Sequence, residues 1–274
     1  MGTTPTTPLF LTEDVPATGN GQRRSILYPG WVPNIFRPVL ASSEYSMEAT
    51  MKPVLQLSPM TCQRIREIDQ VAMEQFQMPS IVLMENAGRG AAECIHQITP
   101  DGNVLILCGK GNNGGDGFTI ARHLQLAGRE VTILAMATTN ELQGDAAIQA
   151  KIAEAAGIQI QVIGETDETE LLSAADVIVD GLLGTGAKPP LRGRYAKVVE
   201  AANASSAIRI ALDIPTGMNG DTGETGEATF RADHTLTFAA SKVGFDKSDA
   251  ARFTGEVHVI SIGVPLKLLR QFSS

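Results

Sequence analysis

The feature that most constrains the fold is a short apolar run that leads directly into a glycine-rich segment. Residues 104–108 (VLILC) are all apolar, and five of the nine residues from 109 to 117 are glycine. An uninterrupted apolar run is typical of a strand buried on both faces, as in a parallel sheet. A helical pattern follows from Phe118 to Ala127. A strand followed by a glycine loop and a helix is an arrangement that presents backbone N–H groups to a phosphate at the start of the helix. We therefore expect the chemistry of the protein at this loop.

The loop matches the dinucleotide fingerprint G-x-G-x-x-G over residues 109–114. A nicotinamide dehydrogenase of this type usually ends its second strand with an acidic residue that binds the ribose, but residues 131–138 contain no carboxylate. The loop also carries Asp116, which a simple phosphate cradle does not need. Asp116 either caps the following helix or contacts a ligand, and the two roles are compatible.

Composition excludes several classes of protein. The chain has 274 residues, 43% of them hydrophobic, and a net charge of −8, which argues against non-specific nucleic-acid binding. The three cysteines show no metal-ligand spacing, and free thiols are typical of a reducing compartment, so we expect a cytoplasmic protein. No apolar run approaches the length of a membrane span.

Composition also divides the chain into an extension and a single domain. Residues 1–55 are rich in Thr, Pro, Ser and Gly, which predicts a disordered or loosely docked segment. Organellar targeting by this segment, or a start at Met47 or Met51, remains open. Residues 56–274 alternate strand and helix patterns, which predicts a doubly wound, mostly parallel sheet with helices on both faces, a Rossmann-like three-layer α/β sandwich. The predicted strands are 104–108, 131–136, 158–163, 176–180, 207–213, 234–239 and 256–262, and the helices between and before them are 81–98, 116–127, 143–156, 168–174 and 194–204.

Two aspartates end predicted strands and are followed by glycine-containing loops. Asp180 precedes the segment GLLGTG, and Asp213 precedes IPTG. Because the carboxyl ends of parallel strands share one edge of a sheet, we expect both aspartates to meet the 112–116 loop in one crevice. Carboxylate, amide and hydroxyl oxygens are hard donors, which suit an alkali or alkaline-earth cation better than zinc.

These motifs together resemble the NAD(P)HX epimerase (NAD(P)H-hydrate epimerase) family. The motifs are ENAG at 85–88, GKGNNGGDG at 109–117, DGLLGTG at 180–186, DIPTG at 213–217 and ADHTLTF at 232–238, and they occur in the family's order. The resemblance extends from about Met60 to Pro265. It is to the stand-alone form of the epimerase domain, without the fused dehydratase. The resemblance implies an isomerase that repairs hydrated, damaged nicotinamide dinucleotides. It would interconvert the R and S forms of NADHX and NADPHX at carbon 6, act with an NAD(P)HX dehydratase, and form a homodimer.

The resemblance also implies residue roles. It places one potassium ion per subunit on Asn113, Asp180 and Thr216. Relatives often have serine at the position of Thr216. It places the substrate contacts on Asn112, Asn113, Gly114, Gly115, Asp116, Gly184, Thr185, Gly186, Ala187, Lys188, Pro189, Pro190 and Asp213.

The chemistry points to Asp213 as the catalytic group. Inversion at carbon 6 of the hydrate needs proton transfer at one oxygen, which a positioned carboxylate can perform. Lys242 is a second candidate catalytic residue, and a solvated surface lysine is an equally good interpretation of it. Two alternatives remain at this point: a non-catalytic binding or scaffold module of the same fold, and a dehydrogenase, which the missing acid after the second strand disfavours.

Overall fold

The structure is a computed structural model that describes residues 55–164, 168–186 and 189–273. The extension predicted over residues 1–55 therefore lies, apart from its last residue, outside the described residues. Within the described ranges, no helix combines the length and the apolarity that a bilayer crossing requires.

The described chain forms the predicted doubly wound α/β sandwich around seven parallel strands. The strands are β1 (Val104–Cys108), β2 (Val131–Ala135), β3 (Gln159–Val162), β4 (Val177–Gly181), β5 (Ile208–Leu212), β6 (His234–Phe238) and β7 (Glu256–Ile260). They lie in the sheet in the order β3-β2-β1-β4-β5-β6-β7, and the predicted strands are confirmed to within two residues at each end. The α-helices are α1 (Cys62–Phe76), α2 (Ser80–Ile98), α3 (Asn112–Leu126), α4 (Gly144–Ala155), α5 (Glu168–Ala174), α6 (Gly193–Ala204), α7 (Ala251–Thr254) and α8 (Leu266–Leu269), and two 3₁₀ turns cover Thr139–Glu141 and Val243–Asp246.

The strand β1 is buried on both faces, as its apolar run predicts. All five of its residues are buried. Ile106 packs in the core that α1 to α4 cover, whereas Leu105 and Leu107 pack in the core that α5 and α6 cover. Alternate side chains of one strand therefore serve two hydrophobic layers, which is why the run contains no polar residue.

The order of the strands places a crevice at the carboxyl ends of β1 and β4. From β1 the chain moves outward through β2 to β3, and it then returns to add β4 on the other side of β1. Ligands of doubly wound sheets bind where the strand order reverses in this way. In the register of the sheet, Leu107 pairs with Asp180 and Cys108 with Gly181, so the glycine segments after the two strands start side by side.

One predicted boundary is wrong. The glycine-rich segment is not a loop up to residue 116, because α3 already begins at Asn112, with Gly111 as its N-cap. Asp116 is therefore a residue of the second helical turn, and its interpretation as the helix cap is wrong. The glycines are inside the helix because its first turns pack at very short range: a Cβ on Gly114 would lie 2.0 Å from the carbonyl oxygen of Gly109.

Candidate functional site

A cleft of about 500 Å³ opens at the carboxyl ends of the central strands. Its walls come from α1, α2, the first turns of α3, the loop after β4 and the ends of β5 and β6. The residues that line it are Ile65, Arg66, Asp69, Met73, Ser80, Leu83, Met84, Ala87, Gly111, Asn112, Asn113, Asp116, Asp145, Leu182, Leu183, Gly184, Thr185, Gly186, Asp213, Phe238, Ala239 and Ile262. The lining combines apolar side chains with carboxylates and amides, as expected for a site that binds and orients a small molecule.

Asp213 stands at the end of β5 and is held by a buried lysine. Its backbone has a φ of 64°, in the left-handed region that Asp and Asn enter more readily than other non-glycine residues. Lys242 is fully buried, and its ammonium group donates to Asp213 Oδ1 and, at 2.7 Å, to Thr237 Oγ1. The interpretation of Lys242 as a solvated surface lysine is therefore wrong. This lysine does not line the cleft and reaches Asp213 from the protein interior, so it orients the carboxylate that faces the cleft.

Three more carboxyl residues line the cleft with Asp213, namely Asp69, Asp116 and Asp145. Burial raises the pKa of Asp116 well above its usual range, and the charges of Asp213 and Asp69 raise that pKa further. Burial, and next the charge of Asp213, raises the pKa of Asp69 to about 6, although Lys242 acts in the opposite direction. Like charges in a desolvated site favour retention of protons. The cleft therefore holds carboxyl groups that are able to donate a proton near neutral pH, next to a carboxylate that is paired with a lysine.

Asp180 and Thr216 form a buried hydrogen-bonded pair behind the cleft wall. Asp180 is completely buried, and it accepts from the Thr216 N–H at 2.8 Å and from the Thr216 hydroxyl at 2.7 Å. The Leu182 N–H adds a third bond at 3.1 Å. Burial raises the pKa of Asp180 to about 6, and the bonds from Thr216 and Leu182 limit that rise. The same hydroxyl accepts from the Leu183 N–H at 3.0 Å, so the pair fixes the loop after β4.

Asn113 brings an unpartnered amide to the same loop. Both Nδ2 and Oδ1 of Asn113 are buried and lack a hydrogen-bond partner. A Cβ on Gly184 would lie 3.4 Å from Asn113 Oδ1, which shows how closely the amide approaches the loop after β4. Buried amides are nearly always hydrogen-bonded in proteins, so an orphaned one indicates a position that a ligand, ion or water fills.

The structure brings together about half of the site residues predicted from the sequence. Asn112, Asn113, Asp116, Gly184, Thr185, Gly186 and Asp213 all line the cleft. Asp180 and Thr216 lie directly behind its wall, where they fix the loop that carries Leu183.

Other predicted residues have different positions. Gly114 packs on Gly109 and Gly115 packs on Met84, while Pro189 and Pro190 lie against Gly226. These four are not among the described residues that line the cleft. Ala187 and Lys188 lie outside the described residues.

Sequence reasoning missed Asp69 as a residue of the site. Asp69 lies on α1, four residues after the buried Ile65 and next to the buried Ile68. A signal existed, because an acidic residue four positions from a core residue shares its side of the helix.

Comparison with known proteins places these features in a family. The family model described as "YjeF-related protein N-terminus" matches residues 80–244. A relative from Rhodopirellula baltica, named NAD(P)H-hydrate epimerase, is 80% identical over 89% of this chain and 96% of its own length. A protein of Thermofilum pendens, named bifunctional NAD(P)H-hydrate repair enzyme Nnr, is 39% identical over 75% of this chain and 40% of its own length.

The fold has a counterpart among solved structures. The crystal structure of the yeast protein YNL200c superimposes with a TM-score of 0.68, at 22% sequence identity, and covers 80% of this chain and 94% of the yeast chain. At that level of identity the likeness concerns the fold.

Proposed function

Because this chain belongs to the NAD(P)H-hydrate epimerase family, we propose that it interconverts the R and S epimers of NADHX and NADPHX at carbon 6 of the hydrated nicotinamide ring. The protein would thus be an isomerase of metabolite repair. The observation that carries this proposal is the group of carboxyl residues at the cleft that includes Asp69, Asp116 and Asp213, the last of which is paired with a buried lysine. Such a group moves protons without a redox step.

The cleft suits the dinucleotide part of the substrate. Gly111, at the N-cap of α3, and the following Asn112 both line the cleft, and no side chain caps this helix end. The free N–H groups of the first turn, with the positive end of the helix dipole, favour an anion such as a pyrophosphate. The segment 184–186 also lines the cleft, without bulky side chains.

The reaction follows from the chemistry of the hydrate, which is a hemiaminal. A carboxyl group of Asp116 or Asp69 donates a proton to the carbon 6 hydroxyl, and water leaves as the lone pair of the ring nitrogen forms a C=N bond. Water then adds to the other face of carbon 6 while Asp213 accepts the released proton. The cycle closes when the proton returns from Asp213 to the carboxyl group that donated it, so atoms and charge balance. General acid–base assistance of this kind accelerates reactions by about 10² to 10⁴-fold.

Lys242 has a positioning role in this scheme. It holds Asp213 Oδ1 from the interior side, together with the Phe238 N–H at 3.4 Å. The other carboxylate oxygen is free of these contacts and is the one that serves the substrate. A carboxylate that is fixed by packing and a buried partner loses little entropy when it meets the reacting atom.

A potassium ion fits the residues behind the cleft wall. The orphaned Oδ1 of Asn113, the carboxylate of Asp180 and the hydroxyl of Thr216 are hard oxygen donors near the loop after β4. We assign a monovalent cation to these three residues because the cation would satisfy the buried amide oxygen and compensate the buried charge of Asp180. When bound, the ion supplies positive charge that orders the loops; the proton transfers belong to the aspartates.

The partners that we propose are a dehydratase and a second copy of the chain. The Thermofilum pendens relative is named as a bifunctional NAD(P)H-hydrate repair enzyme. A second repair activity beside the epimerase supports our proposal that a dehydratase consumes the S epimer. Ile148 and Ile152 lie one turn apart on α4 with exposed fractions of 47% and 42%, and Leu126 at the end of α3 is 81% exposed. These apolar side chains support a homodimer through α3 and α4.

The test is an epimerisation assay on the purified full-length chain. R-NADHX or R-NADPHX is the substrate, and an excess of S-specific dehydratase converts each S epimer into the reduced dinucleotide, which is read by absorbance. We expect a rate far above spontaneous epimerisation, and a higher rate in potassium than in tetramethylammonium buffer. A folded protein that leaves the spontaneous rate unchanged contradicts the proposal and favours a binding module.

A further inference from the structure

A group of metal-ligating side chains lies at the opposite end of the sheet from the cleft. His234 begins β6 and pairs in register with Glu256, the first residue of β7. His258 follows Glu256 by two residues on the same strand, so both side chains project from the same face of the sheet. The ligand atoms of the three residues lie within 4.8 Å of one another.

The spacing of the two imidazoles matches a shared ion. His234 Nδ1 lies 3.2 Å from His258 Nε2. Two nitrogens bound to one zinc ion at 2.0 to 2.1 Å with tetrahedral angles are about 3.3 Å apart. The rings are tilted by 40° to each other with centroids 5.4 Å apart, so they do not stack face to face. In the metal-free protein the same 3.2 Å contact is a hydrogen bond between the two rings, and a bound ion would replace its proton.

The carboxylate of Glu256 completes a third ligand position. Its Oε2 lies 3.7 Å from His234 Nδ1, and its Oε1 lies 3.9 Å from His258 Nε2. Both distances exceed the tetrahedral ligand spacing of about 3.3 Å by roughly half an ångström. The Glu256 side chain is 69% exposed, so a small rotation brings it to the ion, whereas the histidines are 22% and 25% exposed and are held by the sheet.

We propose that His234, Glu256 and His258 form a binding site for a divalent transition-metal ion of the zinc class. Two imidazoles and one carboxylate are a ligand set of zinc, and a water molecule would supply the fourth ligand. The site lies near the amino-terminal ends of β6 and β7, whereas the cleft lies at the carboxyl ends of the strands. It is therefore separate from the potassium position and from the proton-transferring aspartates.

The test is zinc binding by the full-length chain, produced without an oligohistidine tag and freed of metal by a chelator. Zinc is titrated in competition with a chromophoric chelator, and cobalt(II) is titrated separately to record the visible absorption of a tetrahedral site. We expect saturation at one ion per chain. His258→Gln and His234→Gln should each weaken zinc binding by more than about 100-fold, since even loss of an outer-shell partner costs 10 to 100-fold.

His96→Gln is the matched control, because His96 is an exposed histidine on α2. It should leave zinc binding and the cobalt spectrum unchanged, and all three variants should retain the circular dichroism of the parent. Absence of saturable binding at one ion per chain overturns the proposal. Equal zinc affinity in the parent and in His258→Gln also overturns it, because the ion would then be held elsewhere.

Discussion

Thr216→Val isolates the contribution of one hydroxyl to the pair behind the cleft wall. The substitution keeps the shape of the side chain but removes the oxygen that donates to Asp180 and accepts from the Leu183 N–H. A hydrogen bond to a charged group contributes about 2 kcal/mol, and an unpaired, half-buried N–H costs about 1 kcal/mol. In potassium-free buffer at pH 8 we therefore expect the free energy of unfolding to fall by about 3 kcal/mol.

The pH dependence of this loss has a definite sign. The pKa of Asp180 is raised to about 6, so its carboxyl is ionised at pH 8 and mostly protonated at pH 5. A bond between neutral groups contributes about 1 kcal/mol, so the loss caused by Thr216→Val should shrink to about 2 kcal/mol at pH 5. Urea unfolding followed by circular dichroism at both pH values measures the two losses.

Thr216→Ser is the matched control because it keeps the hydroxyl and removes one methyl group. Thr216 is 1% exposed, so the missing methyl should cost about 1 kcal/mol at either pH. Equal losses for the valine and serine variants at pH 8 would refute the reasoning, because the hydroxyl would then contribute nothing beyond its packing.

Two further predictions concern the glycine segment and the cation. Gly114→Ala should destabilise the fold by about 3 kcal/mol in urea unfolding, because its Cβ would lie 2.0 Å from Gly109 O. Gly111→Ala is the control, because a Cβ on Gly111 would have nothing within 4 Å, and it should not destabilise the fold by a comparable amount. Equal losses of stability in the two variants would contradict the packing argument. In tetramethylammonium buffer the melting temperature should fall as pH rises from 5 to 8, because the pKa values of Asp180 and Asp69 are both raised to about 6 in the folded protein and stability is lost as these carboxyls ionise. Potassium should reverse part of this fall in the parent but not in Asp180→Asn, and an equal gain in both would exclude Asp180 as a ligand.

The architecture follows from local sequence patterns to a large extent. The apolar runs at 104–108 and 177–179 indicate strands buried on both faces, and the helical patterns between the strands favour parallel connections. From that sheet, the meeting of Asp213, directly after β5, with Asp116, on the helix that follows β1, is a geometric consequence.

The remaining features depend on contacts between residues that are distant in the chain. Lys242 has no local signal of burial, since its partner Asp213 comes from the neighbouring strand and Thr237 from the strand before the lysine. The start of α3 at Asn112 was missed because glycine disfavours helices, and only the close approach of Gly114 to Gly109 explains why glycine is required there.

The most direct test of the account is the turnover number of Asp213→Asn in the epimerisation assay. Asparagine suits the position because it tolerates the φ of 64° that Asp213 adopts, and Asp249→Asn, at an exposed position, is the control. If the uncompensated Lys242 lowers the melting temperature, Asp213→Asn is combined with Lys242→Met to remove both charges. The account predicts a folded protein whose kcat is at least about 100-fold below that of the parent and of the control variant. A folded Asp213→Asn protein with the parental kcat would contradict it.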